Sequence, residues 1–174
     1  VRENNFSLVG LTGLNFHGKI AGIIGTGKIG AAMCRICHGF GMKVIAYDPY
    51  IRQETVKPYG VTLVSKDELL ECSDFISMHL LLNEDTRKSI NADFFKKMKK
   101  SAIFINTGRG GLVDEEALIE ALRTGEIAGA GLDVLTAEGI DKDAPLQKFD
   151  NVIITPHAAW YSEEAFNTLL TSAA

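Results

Sequence analysis

The chain has 174 residues, 46% of them hydrophobic, and its 18 Lys+Arg against 22 Asp+Glu leave a net charge of −4. That balance excludes nucleic acid as the main partner, because phosphate binding needs clustered positive charge. No apolar run approaches the roughly 20 residues that span a bilayer, and residues 1–16 lack the charged-then-apolar layout of a signal peptide, so a soluble, cytoplasmic protein with no membrane partner is expected.

Residues 1–18 carry no strong period and are punctuated by Gly10, Gly13 and Gly18. They read as an N-terminal arm, with residues 19–174 as one domain. The first residue is Val rather than Met, which suggests a stretch of a longer protein. From residue 19 onward, short β-rich runs alternate with amphipathic stretches, the signature of βαβ units and a parallel sheet. Strands are expected at 20–24, 43–47, 61–64, 74–79, 102–106, 127–134 and 152–155.

The segments between carry helix signals. After Gly27, the residues Ile29, Met33, Ile36 and Phe40 recur at steps of four, three and four, which predicts an apolar face packed on the sheet. Cys34 and Cys37 fall in the same stretch, where cysteine behaves as a small apolar residue. With Cys72 they make three, and neither a disulfide framework nor a metal site is expected. Ser65-Lys66-Asp67-Glu68 has capping-box spacing. Asn91 opens a helix whose Phe94, Phe95 and Met98 face inward, with Lys96, Lys97, Lys99 and Lys100 as a solvated end. Asp114-Glu115-Glu116 starts another, and Gly125 ends it.

Gly25-Thr26-Gly27-Lys28-Ile29-Gly30 is G-x-G-x-x-G between the first strand and the first helix, the context that gives this motif meaning. Its glycines permit the turn, the approach of a pyrophosphate and the close packing of helix on strand. Helix amides then hold the anion, which makes Gly25, Gly27, Lys28, Ile29 and Gly30 candidate cofactor contacts. Asp48, at the end of the second strand, can accept the ribose hydroxyls and repel a 2′-phosphate, selecting NAD over NADP. The expected fold is therefore α/β and Rossmann-type, a doubly wound, mostly parallel seven-stranded sheet with helices on both faces.

The second half carries three further motifs. Residues 105–114 (INTGRGGLVD), 131–134 (GLDV) and 155–160 (TPHAAW) together resemble the D-isomer-specific 2-hydroxyacid dehydrogenases. The opening looks most like the D-lactate dehydrogenase branch, and residues 156–162 are also similar to the C-terminal-binding-protein corepressors of the same family. The resemblance implies an NAD-dependent oxidoreductase that interconverts a small 2-keto acid and a D-2-hydroxy acid, with its substrate domain absent from this chain.

By the same resemblance Arg109 binds the substrate carboxylate and carbonyl, His157 is the general acid and base, and Glu138 hydrogen-bonds the imidazole. A guanidinium that stays charged suits the first task, and an imidazole titrating near neutrality suits the second. The resemblance also places Asp133 against the nicotinamide amide, Thr107 along the cofactor and His79 near it, while a purely structural His79 stays open. Gly139 follows Glu138 where the family usually has Pro, and Asp141 and Asp143 stand close by. Glu138 is preferred for its length and its spacing from Asp133. Leu81 also stands where a Pro is common.

Phe6, Leu8, Val9, Leu11, Leu14 and Phe16 are more apolar residues than a solvated arm needs, which predicts a homodimer. A second functional reading, an NAD-sensing corepressor-like dimer, rests on Trp160 and Tyr161. The isolated chain is expected to bind NADH without turning over substrate.

Overall fold

A computed structural model describes residues 12–51, 53–137 and 144–172. Seven strands form one sheet in the order β3-β2-β1-β4-β5-β6-β7, and every neighbouring pair is parallel. They are β1 (Ile20–Ile24), β2 (Lys43–Tyr47), β3 (Thr62–Leu63), β4 (Phe75–Met78), β5 (Ile103–Asn106), β6 (Gly129–Leu132) and β7 (Val152–Ile154). All seven lie within the expected runs. β1 and β2 fill theirs, and the other five are shorter, with flanking residues such as Val61, Ile127 and Val134 buried outside the strands.

The helices are α1 (Lys28–Gly39), α2 (Gln53–Val56), α3 (Lys66–Cys72), α4 (Ala92–Lys96), α5 (Glu115–Thr124) and α6 (Glu163–Ser172). Successive strand residues face opposite sides of the sheet, so Ile24, Ile76, Met78, Phe104 and Leu132 meet α3, α4 and α5 in one core. Ile23, Val44 and Ala46 meet α1 and α2 in the other. Local chemistry sets the ends. The Ser65 hydroxyl accepts the Glu68 N–H at 3.1 Å, Asn91 accepts that of Phe94 at 3.2 Å, and Gly125 closes α5 in the left-handed conformation. At the end of α4, Lys97 pairs with Asp67 and Lys99 with Asp74, so two of the four lysines lean on neighbouring carboxylates.

The sheet-facing stripe of α1 differs from the expected one. Gly30 and Cys34 are its buried residues, and Met33 and Cys37 pack beside them. Ile29, Ile36 and Phe40 are 72%, 53% and 57% exposed. The cause is the third glycine of the loop. A Cβ on Gly30 would overlap the carbonyl oxygen of Gly25, so the helix lies against the loop on that bare face and turns its larger side chains outward. Ile36 and Phe40 line an apolar hollow with Phe16 and Phe75, and the Phe16 ring sits edge-on to both Phe40 and Phe75. Of the apolar arm residues, Leu14 and Phe16 are exposed; Phe6, Leu8, Val9 and Leu11 lie outside the described residues. No helix among the described residues is long and apolar enough to cross a membrane.

Candidate active site

Six of the seven strands deliver candidates at their carboxyl ends. Gly25 follows β1, Asp48 follows β2, His79 follows β4, Thr107 and Arg109 follow β5, Asp133 follows β6, and His157 lies three residues past β7. This is the edge where open α/β sheets take their ligands, and the strand order reverses between β1 and β4.

The glycine loop is built tightly below and openly above. Gly25 has φ of +90°, and a Cβ there would lie 2.7 Å from the His79 carbonyl oxygen. Around Gly27 no atom lies within 4 Å of a would-be Cβ. Loop and helix start thus leave a bare cradle at Gly27, the space a pyrophosphate requires, and the backbone N–H groups opening α1 have no partner within the helix. The residues fit a dinucleotide.

Asp48 takes part in building that loop. One carboxylate oxygen accepts both the N–H and the hydroxyl of Thr26, at 2.7 and 2.9 Å, and the other accepts the Tyr50 N–H at 3.0 Å. Its position at the strand end agrees with a ribose-binding acid, and it keeps lone pairs for that task. Thr26 carries no signal of its own in the sequence, where only the glycines of the motif do. His79 lies under the loop, half-buried, its Nε2 3.0 Å from the Ser77 hydroxyl. Burial holds its imidazole below the ordinary histidine range.

Arg109 sits on a turn fixed from beneath by Asn106, which is fully buried. The Asn106 amide donates to the Arg109 carbonyl at 3.1 Å and its side-chain oxygen accepts the Gly108 N–H at 3.0 Å. Arg109 itself is exposed, and its Nη1 donates to the Gly108 carbonyl at 2.7 Å. The next residue must be glycine, since a Cβ on Gly110 would overlap the Leu135 backbone. The turn carrying Arg109 therefore lies directly against the segment after β6. Asn106 is legible only in hindsight, as a polar residue at an inward position of the apolar run Ile103–Asn106.

Asp133 is 5% exposed, and its carboxylate is engaged by the turn that carries His157. It accepts the Thr155 hydroxyl and the N–H groups of Ala158 and Ala159 at 2.8 and 2.9 Å. Burial alone would raise its pKa, but these bonds, with the nearby His157, hold it below the usual carboxylate range. His157 is exposed and has φ of +53°. Thr107 is half-buried at the end of β5. Glu138 and its neighbours Asp141 and Asp143 lie outside the described residues. Cys34 is buried in the α1 core, its thiol pushed up to about 11, foremost by that burial, and no metal-binding cluster of His, Cys, Asp or Glu is found among the described residues.

A parallel doubly wound sheet with a glycine cradle at its switch point and a strand-end acid beside it defines a dinucleotide-binding domain of the dehydrogenase class. Comparison with known sequences takes this further: residues 1–159 match the D-isomer specific 2-hydroxyacid dehydrogenase, NAD binding domain, and the chain belongs to that family. A glyoxylate reductase of Korarchaeum cryptofilum is 46% identical over 154 residues, covering 88% of this chain and 46% of the relative. The apo structure of D-lactate dehydrogenase from Escherichia coli superposes with a TM-score of 0.88 at 41% identity, covering 97% of this chain and 53% of that one. D-Lactate dehydrogenase from Aquifex aeolicus, complexed with NAD and lactic acid, superposes with a TM-score of 0.89 at 34% identity, covering 99% and 56%. The chain thus spans about half the length of the relatives it matches.

Proposed function

We propose that this chain is the cofactor-binding half of an NAD-dependent dehydrogenase that interconverts a small 2-keto acid and a D-2-hydroxy acid, acting in the cytoplasm. The observation that carries it is the placement of the dinucleotide cradle, Arg109 and His157 along one carboxyl edge of one sheet. The two relatives compared by structure are named as dehydrogenases and the third as a reductase, which supports the catalytic reading over the NAD-sensing one. The free thiols of Cys34, Cys37 and Cys72 suit a reducing compartment.

The loop 25–30 and the start of α1 would hold the pyrophosphate and Asp48 the adenine-side ribose, with Thr107, His79 and Asp133 on the nicotinamide side. When bound, the nicotinamide supplies or takes the hydride. Arg109 pairs its guanidinium with the substrate carboxylate and draws electron density toward the carbonyl oxygen, a planar fork meeting a planar anion. To do so it leaves its contact with the Gly108 carbonyl. His157 gives its proton to the carbonyl oxygen as the carbon is reduced, and takes it back in the reverse direction. Glu138 is the proposed partner of that imidazole, favouring its charged form. The arm, through Leu14 and Phe16 and the apolar residues before them, is proposed to join two such chains as a homodimer.

The test follows NADH fluorescence for binding and absorbance at the reduced nicotinamide band for oxidation, with pyruvate and glyoxylate as substrates. This 174-residue chain should bind NADH and turn over neither keto acid, because the second wall of the cleft that excludes water and seats the substrate belongs to the rest of the protein. Extended to the full length of its relatives, the protein should reduce at least one, and His157→Ala should lower that rate by about 10²–10⁴-fold. Failure of the full-length protein on a broad panel of keto acids would refute the proposal.

A further inference from the structure

The turn after β7 presents His157 in a backbone conformation it would not choose alone. At φ +53° the residue lies in the left-handed region, which costs a non-glycine residue about 1 kcal/mol or more and persists only where the surroundings over-determine it. The surroundings here centre on one buried residue, Asp133, with the Thr155 carbonyl also 3.0 Å from the His157 N–H. The His157 N–H donates to the main-chain carbonyl of Asp133 at 3.0 Å, while the two N–H groups that follow, on Ala158 and Ala159, converge on the Asp133 carboxylate. The Asp133 N–H in turn donates to the carbonyl of Asn106 at 3.0 Å, the residue that closes the Arg109 turn. Asp133 thus ties the His157 turn to the strand end that carries Arg109.

The Ala158 N–H donates to one oxygen of that carboxylate and the Ala159 N–H to the other, and both backbone donors come from the same side of His157 in the chain. The third donor comes from the other side and braces the carboxylate against the pull of those two. Thr155 reaches Asp133 from the other end of the turn, its hydroxyl on the same oxygen that accepts the Ala158 N–H. The strap therefore begins and ends on either side of His157, at Thr155 and at Ala158–Ala159, with the left-handed residue held between.

We infer that Thr155 is a positioning residue for His157: its hydroxyl orients the Asp133 carboxylate, and through it the turn that aims the imidazole. Thr155 touches neither substrate nor cofactor in this role. The inference rests on the proposed part of His157 in proton transfer.

Two substitutions separate the hydroxyl from the shape. Thr155→Val keeps the volume and removes the hydrogen bond, while Thr155→Ser keeps the bond and removes a methyl. On this chain, amide hydrogen exchange followed by NMR should show the Ala158 and Ala159 N–H groups exchanging about 10- to 150-fold faster in T155V and within about twofold of wild type in T155S, the loss expected for one charge-assisted hydrogen bond. In the full-length protein T155V should lower kcat by about 5- to 30-fold with the KM for NADH within about twofold, and T155S should recover most of the rate. Wild-type exchange and kcat in T155V, in a protein that His157→Ala inactivates, would overturn the inference. So would equal impairment of T155V and T155S, or a loss of kcat matched by loss of NADH binding. If His157→Ala leaves full activity, the proposed reading of the site itself falls, a pattern distinct from each of these, and this role falls with it.

Discussion

Gly27 and Gly30 stand three residues apart in one motif, yet the structure gives them opposite tasks, and alanine at each should fail in opposite ways. At Gly27 φ is −61°, a value any residue adopts, and an added Cβ meets no atom of the protein within 4 Å. Alanine as the residue capping α1 costs about 0.5 kcal/mol relative to glycine, and the stiffer unfolded chain returns a similar amount. The melting temperature of G27A should therefore stay within about 2 °C of wild type. Its methyl group instead occupies the cradle, and a clash worth about 1–3 kcal/mol makes NADH binding roughly 5- to 150-fold weaker. At Gly30 the same methyl overlaps the Gly25 carbonyl oxygen and lies 3.4 Å from the His79 Cβ. Loop and helix must part by roughly 1 Å, at a cost of about 2–3 kcal/mol in a packed interior. For a chain of this length that lowers the melting temperature by about 4–12 °C. Circular dichroism melts and NADH fluorescence titrations of the two variants suffice. G27A binding NADH as wild type does would show that no pyrophosphate lies over this glycine. An unchanged melting temperature for G30A would show that the close approach of helix to loop is not what the third glycine provides.

NADH should bind more tightly than NADPH, owing to Asp48, and because Asp48 also accepts two hydrogen bonds from Thr26, Asp48→Ala should weaken both cofactors while narrowing the gap between them. Titration of wild type with each cofactor checks the first part, and equal or tighter NADPH binding would refute it. Stability should fall in two stages on acidification. Burial depresses His79, so its share is complete above the unfolded value of about 6.5 and is lost as pH falls through the lower folded value. Asp133 and Asp74 are held below the ordinary 3.8, against the opposing effect of burial, by hydrogen bonds in both cases and by Lys99 for Asp74. Their shares persist above that value and vanish as pH falls through the folded ones. Urea titrations between pH 8 and 3 should show the upper stage removed by His79→Asn and the lower stage reduced by Asp74→Asn, and a stability flat down to pH 4 in wild type would contradict the first.

Much of the fold was legible because its signals are local. A parallel strand covered on both faces must be apolar along its length, so runs such as Ile103–Asn106 declare themselves without knowledge of their neighbours. Helix ends at Ser65, Asn91 and Gly125 depend on residues within one turn. The glycine loop was legible for the same reason, since strand, loop and helix are consecutive in the chain. The proposed roles of Arg109 and His157 rest on the motifs around them, and their backbone turns are seen only in the structure.

What the sequence determined alone is thus the seven strands and the helices α1, α3, α4 and α5, in their order, with the positions where a glycine or a charged group interrupts them; α2 and α6 carried no signal that was read. Tertiary structure alone decided which surfaces meet. The apolar stripe of α1 covers more than one face, and local periodicity cannot say that the bare side of Gly30 will take the sheet while Ile29, Ile36 and Phe40 turn away. Nor can it say that Asp48 will hold Thr26, or that Asp133 will gather Thr155, Ala158 and Ala159, partners 22 to 26 residues distant in the chain. Hydrogen bonds of that kind are made between strand ends brought side by side by the sheet, and the identity of a strand's neighbour is fixed by crossover and packing rather than by the residues of the strand itself.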